Sequence, residues 1–165
     1  MDYATLRTEK DAFFKSPHSP LTPEQRTSFA GLPYYEPNEA LRFAQALNTD
    51  VDRAPLTLPT STGDERQYRR AGTITFAITG QSVTLTVFED EHGYFLPFRD
   101  GTAEDATYGA GRYLEPEQGS DGKLLVDFNL AYNPYCAYNE QYSCPIPPRE
   151  NRIPVRIEAG ERRYR

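Results

Sequence analysis

Residues 127–152, DFNLAYNPYCAYNEQYSCPIPPRENR, constrain this chain more than any other stretch. Pro134, Pro145, Pro147 and Pro148 each lack a backbone N–H and lock φ, so the stretch cannot run as a helix interior or a central strand. The same stretch carries both cysteines, Cys136 and Cys144, the tyrosines Tyr132, Tyr135, Tyr138 and Tyr142, and the amides Asn129, Asn133, Asn139 and Asn151. A long ordered loop in a compact domain usually carries function. Tyrosine faces offer apolar area to bury, and Asn133 before Pro134 is biased to extended backbone. The expectation is an ordered strap packed on a scaffold that the rest of the chain must build.

That scaffold reads as β-structure. Ile74, Phe76 and Ile78 alternate with threonine and alanine, and so do Val83, Leu85 and Val87 with Thr84 and Thr86. Thr79-Gly80-Gln81-Ser82 separates the two runs as a tight hairpin turn. Leu56 and Leu58 alternate in the same way, as do Leu41, Phe43 and, less cleanly, Leu47, where a helix over 37–47 is the rival reading. Further strands are expected at Tyr94–Phe98, Gly111–Leu114, Lys123–Phe128 and Ile153–Ile157, with turns at Glu91-His92-Gly93, Asp100-Gly101 and 119–122. Short strands at this spacing suggest an antiparallel barrel or sandwich. The fold expected is mainly β: a single-domain antiparallel β-barrel, of which a split barrel is one form, with short N-terminal helices. Asp2 caps a helix over 2–14, and Thr22-Pro23-Glu24-Gln25 starts a second one that closes near Gly31. Residues 1–35 then form a helical appendage and residues 36–165 the barrel domain with its Cys-, Pro-, Tyr- and Asn-rich motif.

Charge and composition remove some function classes. Net charge is −6, and a nucleic-acid footprint needs a clustered basic surface, so no nucleic-acid partner is expected. Aromatics at 13% argue against disorder despite a mean hydropathy of −0.72. No apolar run approaches the roughly 20 residues of a membrane span, and the N-terminus lacks the basic and apolar regions of a signal peptide. The protein is therefore expected in the cytoplasm, away from membranes.

Several polar residues are candidates for a site. Gly109 and Gly111 flank Ala110 ahead of Arg112, so a ligand can approach the backbone while Arg112 grips a phosphate or carboxylate. The alternative is a glycine bulge with Arg112 paired to Asp127 or Glu150. Asp127, Asn129, Tyr132 and Asn133 cluster at the end of an apolar strand, and strand alternation puts Asp127 and Asn129 on one face. Cys136 and Cys144 are read as two buried reduced thiols, with a reactive pair or a disulfide as the rival. No metal is expected, because Cys136, Cys144, His18 and His92 fall short of a zinc set with sensible spacing. His18 and His92 sit in turns, and no Gly-x-Ser-x-Gly elbow anchors a hydrolase triad.

Phe98-Arg-Asp-Gly-Thr102, Thr107-Tyr-Gly-Ala-Gly-Arg-Tyr-Leu114, Asp127-Phe-Asn129, Ala131-Tyr-Asn-Pro134, Cys136-Ala-Tyr138, Cys144-Pro145, Pro148, Glu150-Asn-Arg152, Pro154 and Ala159-Gly160 together form a long pattern. In it the chain resembles DUF1684, a bacterial and archaeal family without an assigned activity. The resemblance implies a soluble, mostly β domain and no particular reaction. The leading functional expectation is a β-barrel that binds a small, anionic molecule through Gly109, Gly111, Arg112, Asp127, Asn129, Tyr132, Asn133, Cys136, Glu150, Asn151 and Arg152. Two rivals stand beside it: an enzyme, with FMN as a cofactor by fold analogy alone, and a purely structural C-terminal strap.

Overall fold

The period-two runs become eight antiparallel strands among the residues described, which are 1–164 of a computed structural model. They are β1 (Arg42–Gln45), β2 (Leu56–Pro59), β3 (Glu65–Ile78), β4 (Gln81–Asp90), β5 (Gly93–Phe98), β6 (Arg112–Leu114), β7 (Glu117–Gln118) and β8 (Leu124–Asp127). Two sheets result, ordered β2-β3-β4-β5-β6 and β1-β8-β7, and one of them is a half-barrel. The barrel read from the sequence is thus present in this half form.

The β3–β4 hairpin is the spine. Thr79 at φ 49° and Gly80 at φ 79° make the two-residue turn, whose positive φ values match the strand twist. Thr75 and Thr84 pair their hydroxyls on the exposed face at 2.9 Å. Ile74, Phe76, Leu85 and Val87 point the other way and meet Leu124 and Val126 of the smaller sheet, and Phe128 just beyond it, in the main core. Phe76 lies 4.6 Å from Phe43 and 5.5 Å from Phe128 between ring centroids. Register slips between Arg70 and Gly72, where β3 bends.

The helices start as expected. Asp2 accepts from Thr5 N–H at 3.1 Å ahead of α1 (Tyr3–Lys15). Thr22 and Gln25 form a reciprocal capping box on α2 (Pro23–Ser28). α2 ends at Ser28, earlier than Gly31, because Phe29 turns to extended backbone and buries against Phe14. Phe14, Leu21, Phe29 and Leu32 pack with Tyr138, so the helical segment sits on the strap. The rival helix over 37–47 is only a single 3₁₀ turn at Glu39–Leu41, followed by β1.

Two strand expectations are corrected. The run to Phe128 stops at Asp127, whose carboxylate accepts from Asn129 N–H at 3.0 Å and caps a 3₁₀ turn. Ile153–Ile157 is no strand. Pro154 has no N–H to donate, Ile157 N–H goes to the Asp100 carboxylate at 2.6 Å, and Ile157 carbonyl accepts from Arg112. Ile153 N–H and the Val155 carbonyl still bond the backbone of Arg99 and Gly101, each at 2.9 Å, and side chains take over only at Ile157.

Candidate functional site

The buried polar residues act first as substitutes for missing backbone partners. Pro97 sits on β5 beside Thr86 of β4 and has no N–H, so the ladder between those strands cannot close there. Asn151 closes it with its side chain. Its Oδ1 accepts from Thr86 N–H at 2.8 Å, and its Nδ2 donates to the carbonyls of Thr86 and Pro97, each at 2.8 Å. Asn129 does the same for Asn38, accepting from its N–H at 2.8 Å and donating to its carbonyl at 2.9 Å.

Arg112 is fully buried and holds the C-terminal segment. Its Nη1 donates to the carbonyls of Ala159 and Glu161, and its Nη2 to the carbonyl of Ile157 at 2.9 Å. The expected partners were Asp127 or Glu150; the partner is Asp100, 3.4 Å from Nη2. Asp127 is instead engaged by Tyr3 at 2.6 Å and Arg42 at 3.4 Å, and Glu150 by Arg70 at 2.9 Å and Thr86 at 2.6 Å. Burial lowers the Arg112 pKa, and Asp100 opposes that shift. Gly111 precedes it at φ 118°, and a Cβ there would stand 2.5 Å from the Phe98 carbonyl, so glycine is required where β6 presses on β5. Gly109 is exposed, with its carbonyl accepting from Arg99 at 2.9 Å. A flavin phosphate gripped by Arg112 would have to displace three backbone carbonyls.

The eleven residues singled out from the sequence do not share one cavity. Asp127 and Tyr132 line a groove of about 580 Å³ along β1, β8 and Leu114–Glu117. Asn129 lines a small recess of about 80 Å³ under α1. Gly109, Gly111, Arg112, Asn133, Cys136, Glu150, Asn151 and Arg152 line neither, nor the cleft described next.

The cleft, about 470 Å³, lies between α1 and the strap. Tyr113, Tyr132, Tyr135 and Tyr142 supply its aromatic walls, Lys10 and Arg66 its positive charge, and Glu115 and Cys144 further wall. Lys10 pairs with the buried Glu161 and lies 5.0 Å over the Tyr132 ring. Glu161 also accepts from Tyr138 Oη at 2.8 Å and from Asn133 N–H at 3.0 Å. Tyr132 donates to Glu115, and burial, then Glu115, raises its pKa. Lys10, Arg66, Asp100 and Glu161 escaped the sequence reading. Lys10, Arg66 and Glu161 lie far along the chain from their partners, Asp100 reads from the sequence as a turn residue only, and a buried acid such as Glu161 in a charged tail carries no local mark.

Cys136 and Cys144 are both free and both buried, as expected. Cys136 N–H donates to Cys144 Sγ at 3.2 Å, and Tyr108 Oη lies 3.6 Å from Cys136 Sγ. Contact with the Cys144 thiol is the main cause that lowers the Cys136 pKa; burial opposes it, and the hydroxyls of Tyr108 and Ser61 help. The same contact, then burial, raises Cys144. The pair therefore titrates as a unit that gives up one proton early and the second late. Among the described residues no group of three or more His, Cys, Asp or Glu side chains could hold a metal ion.

Fold and site together define a mainly β domain clasped by a proline-stiffened strap, with an aromatic, cationic cleft on the strap's outer side. The chain belongs to the family described as a protein of unknown function, DUF1684, whose profile matches residues 27–162. It is similar to the solution NMR structure of an uncharacterised protein of Haloarcula marismortui, at 37% identity and a TM-score of 0.71, over 96% of this chain and 91% of that one. No curated protein matches it. No helix among the described residues is long and apolar enough to cross a membrane.

Proposed function

We propose that this chain is a binding module for a small aromatic anion, held in the cleft between α1 and the strap. The observation that carries the reading is the meeting of four tyrosines with Lys10 and Arg66 around one concavity of about 470 Å³. That volume falls within the range of small-molecule sites. Tyrosine faces stack on a planar ligand, and the two cations meet its charge. Lys10 has three donors, and its ion pair with Glu161 occupies one. Tyr135 and Tyr142, packed edge to face at 5.3 Å and both exposed at the rim, are free to adjust around a guest. A cytoplasmic setting goes with this reading, since two unpaired thiols suit a reducing compartment.

Thermal-shift and calorimetric titration with benzoate and with 4-hydroxybenzoate test the reading. Binding raises Tm, and Arg66→Ala or Tyr135→Ala abolishes the rise while leaving the ligand-free Tm close to wild type. No shift and no heat with either compound would refute it.

The strap reading rests on a separate observation: Arg112, Asn129 and Asn151 spend their hydrogen bonds on the protein's own backbone. The two readings are compatible, since the strap builds the wall that the cleft uses.

A further inference from the structure

Cys136 and Cys144 do more than fill space. Both arms of the 136–144 loop are pinned. Pro134 and the 3₁₀ turn Tyr135–Ala137 set the first cysteine. Ser61 sets the second: its N–H donates to the Cys144 carbonyl at 3.0 Å, and its Oγ accepts from Cys144 N–H at 3.1 Å. The result brings one sulfur against the backbone N–H of the other cysteine, at 3.2 Å. The Cys136 N–H stabilises negative charge on Cys144 Sγ, and the Tyr108 hydroxyl, 3.6 Å away, does so on Cys136 Sγ. Cys144 also lines the cleft, which gives an incoming molecule access to one member of the pair. Two thiols packed only for volume need neither the donor nor the opening.

We infer that Cys136 and Cys144 form a redox-active dithiol that exchanges with low-molecular-weight disulfides entering through the cleft. The inference concerns the thiols at the wall of the proposed binding cleft and does not depend on an anionic ligand being bound there. Cys144 thiolate attacks one sulfur of the incoming disulfide. The disulfide's S–S bond breaks, one thiolate leaves and takes a proton, and a mixed disulfide remains on Cys144. Cys136 then gives up its proton, attacks Cys144 Sγ and expels the second thiolate. The protein dithiol is oxidised by two electrons to a disulfide, and the small disulfide is reduced to two thiols. The first proton leaves Cys136, so Cys144 becomes the attacking thiolate by passing its own proton to the Cys136 sulfur across their contact.

The full chain, freshly reduced and native, is exposed to oxidised glutathione at pH 7, quenched with iodoacetamide and weighed intact. Wild type is expected to lose two hydrogens and both alkylatable thiols, at least about tenfold faster than the same chain in denaturant, where ordinary thiols are only a few per cent ionised. Cys136→Ser is expected to stop at a single glutathione adduct on Cys144, released by excess dithiothreitol. Circular dichroism of each variant confirms that it is folded. If either serine variant unfolds, the native wild-type rate against its denatured rate still decides. A native wild type that keeps both thiols free, or oxidises no faster than in denaturant, overturns the pair. A glutathione adduct on Cys144→Ser but not on Cys136→Ser overturns entry through the cleft. Failure here leaves the benzoate titrations untouched, and failure there leaves these masses untouched.

Discussion

Asn151→Ala removes one side chain and strands three backbone groups. The amide bonds Thr86 N–H, Thr86 C=O and Pro97 C=O, all at 2.8 Å. Asn151 is 0% exposed and Thr86 5%, so water does not replace the lost partners. Each intramolecular hydrogen bond contributes about 1 kcal/mol net, and a stranded buried group costs about 1–3 kcal/mol, so the loss is about 3–5 kcal/mol. That is a large part of the roughly 5–15 kcal/mol by which domains are stable. For a chain of this size it lowers Tm by roughly 6–20 °C. Asn151→Asp keeps the shape and separates bonding from packing. One carboxylate oxygen still accepts from Thr86 N–H, but the other faces two carbonyls that need a donor. Asp therefore destabilises at least as much as Ala at pH 7. Its folded pKa rises above the unfolded value, so its deficit against wild type narrows as pH falls and the acid gains a hydroxyl donor. Urea unfolding followed by circular dichroism, with m-values compared, reads all three proteins. A loss below about 1 kcal/mol for Asn151→Ala, or an Asn151→Asp protein as stable as wild type, would refute the claim that the amide completes the sheet.

Three further outcomes are expected. Arg112→Lys loses about 2–4 kcal/mol in the same unfolding assay, because an ammonium cannot span Asp100 and three carbonyls as the planar guanidinium does; an unchanged Cm would show that the fork is dispensable. Arg70, then Thr86, hold the Glu150 pKa below its usual 4.5, so the stability this adds is present above pH 4.5 and fades as pH falls through the folded value. Wild type and Glu150→Gln should thus converge in stability in acid, and a gap that stays constant from pH 7 to pH 3 would contradict the pairing. In hydrogen exchange, the amides of Ala131, Tyr132 and Asn133, bonded to Phe128 carbonyl, Tyr113 carbonyl and the Glu161 carboxylate, exchange slowly; rates like those of a frayed terminus would make the strap a mobile lid.

Local chemistry determined much of this protein. Thr-Gly turns with alternating Ile, Phe and Val specify a hairpin by sterics and period alone, and Thr22-Pro23-Glu24-Gln25 specifies a helix start through orphan N–H groups within one turn. The prolines of 127–152 already excluded a strand there, and its aromatic and amide content marked where the chain would be stitched together. What tertiary structure decided was the pairing. Arg112 needed an anion, but Asp100 and the carbonyls of 157–161 meet it only because β5, β6 and the C-terminal segment converge. Asn151 reads as one amide among several until β4 and β5 part at Pro97 and leave three backbone groups unpaired. The cleft draws Lys10 from α1, Arg66 from β3 and Tyr142 from the strap, whose separation along the chain hides any common pattern. Periodicity and caps act within a turn or a strand, so they are legible in sequence. Buried charges and amides take whichever partner the fold delivers, and that is settled only when the sheets close on one another.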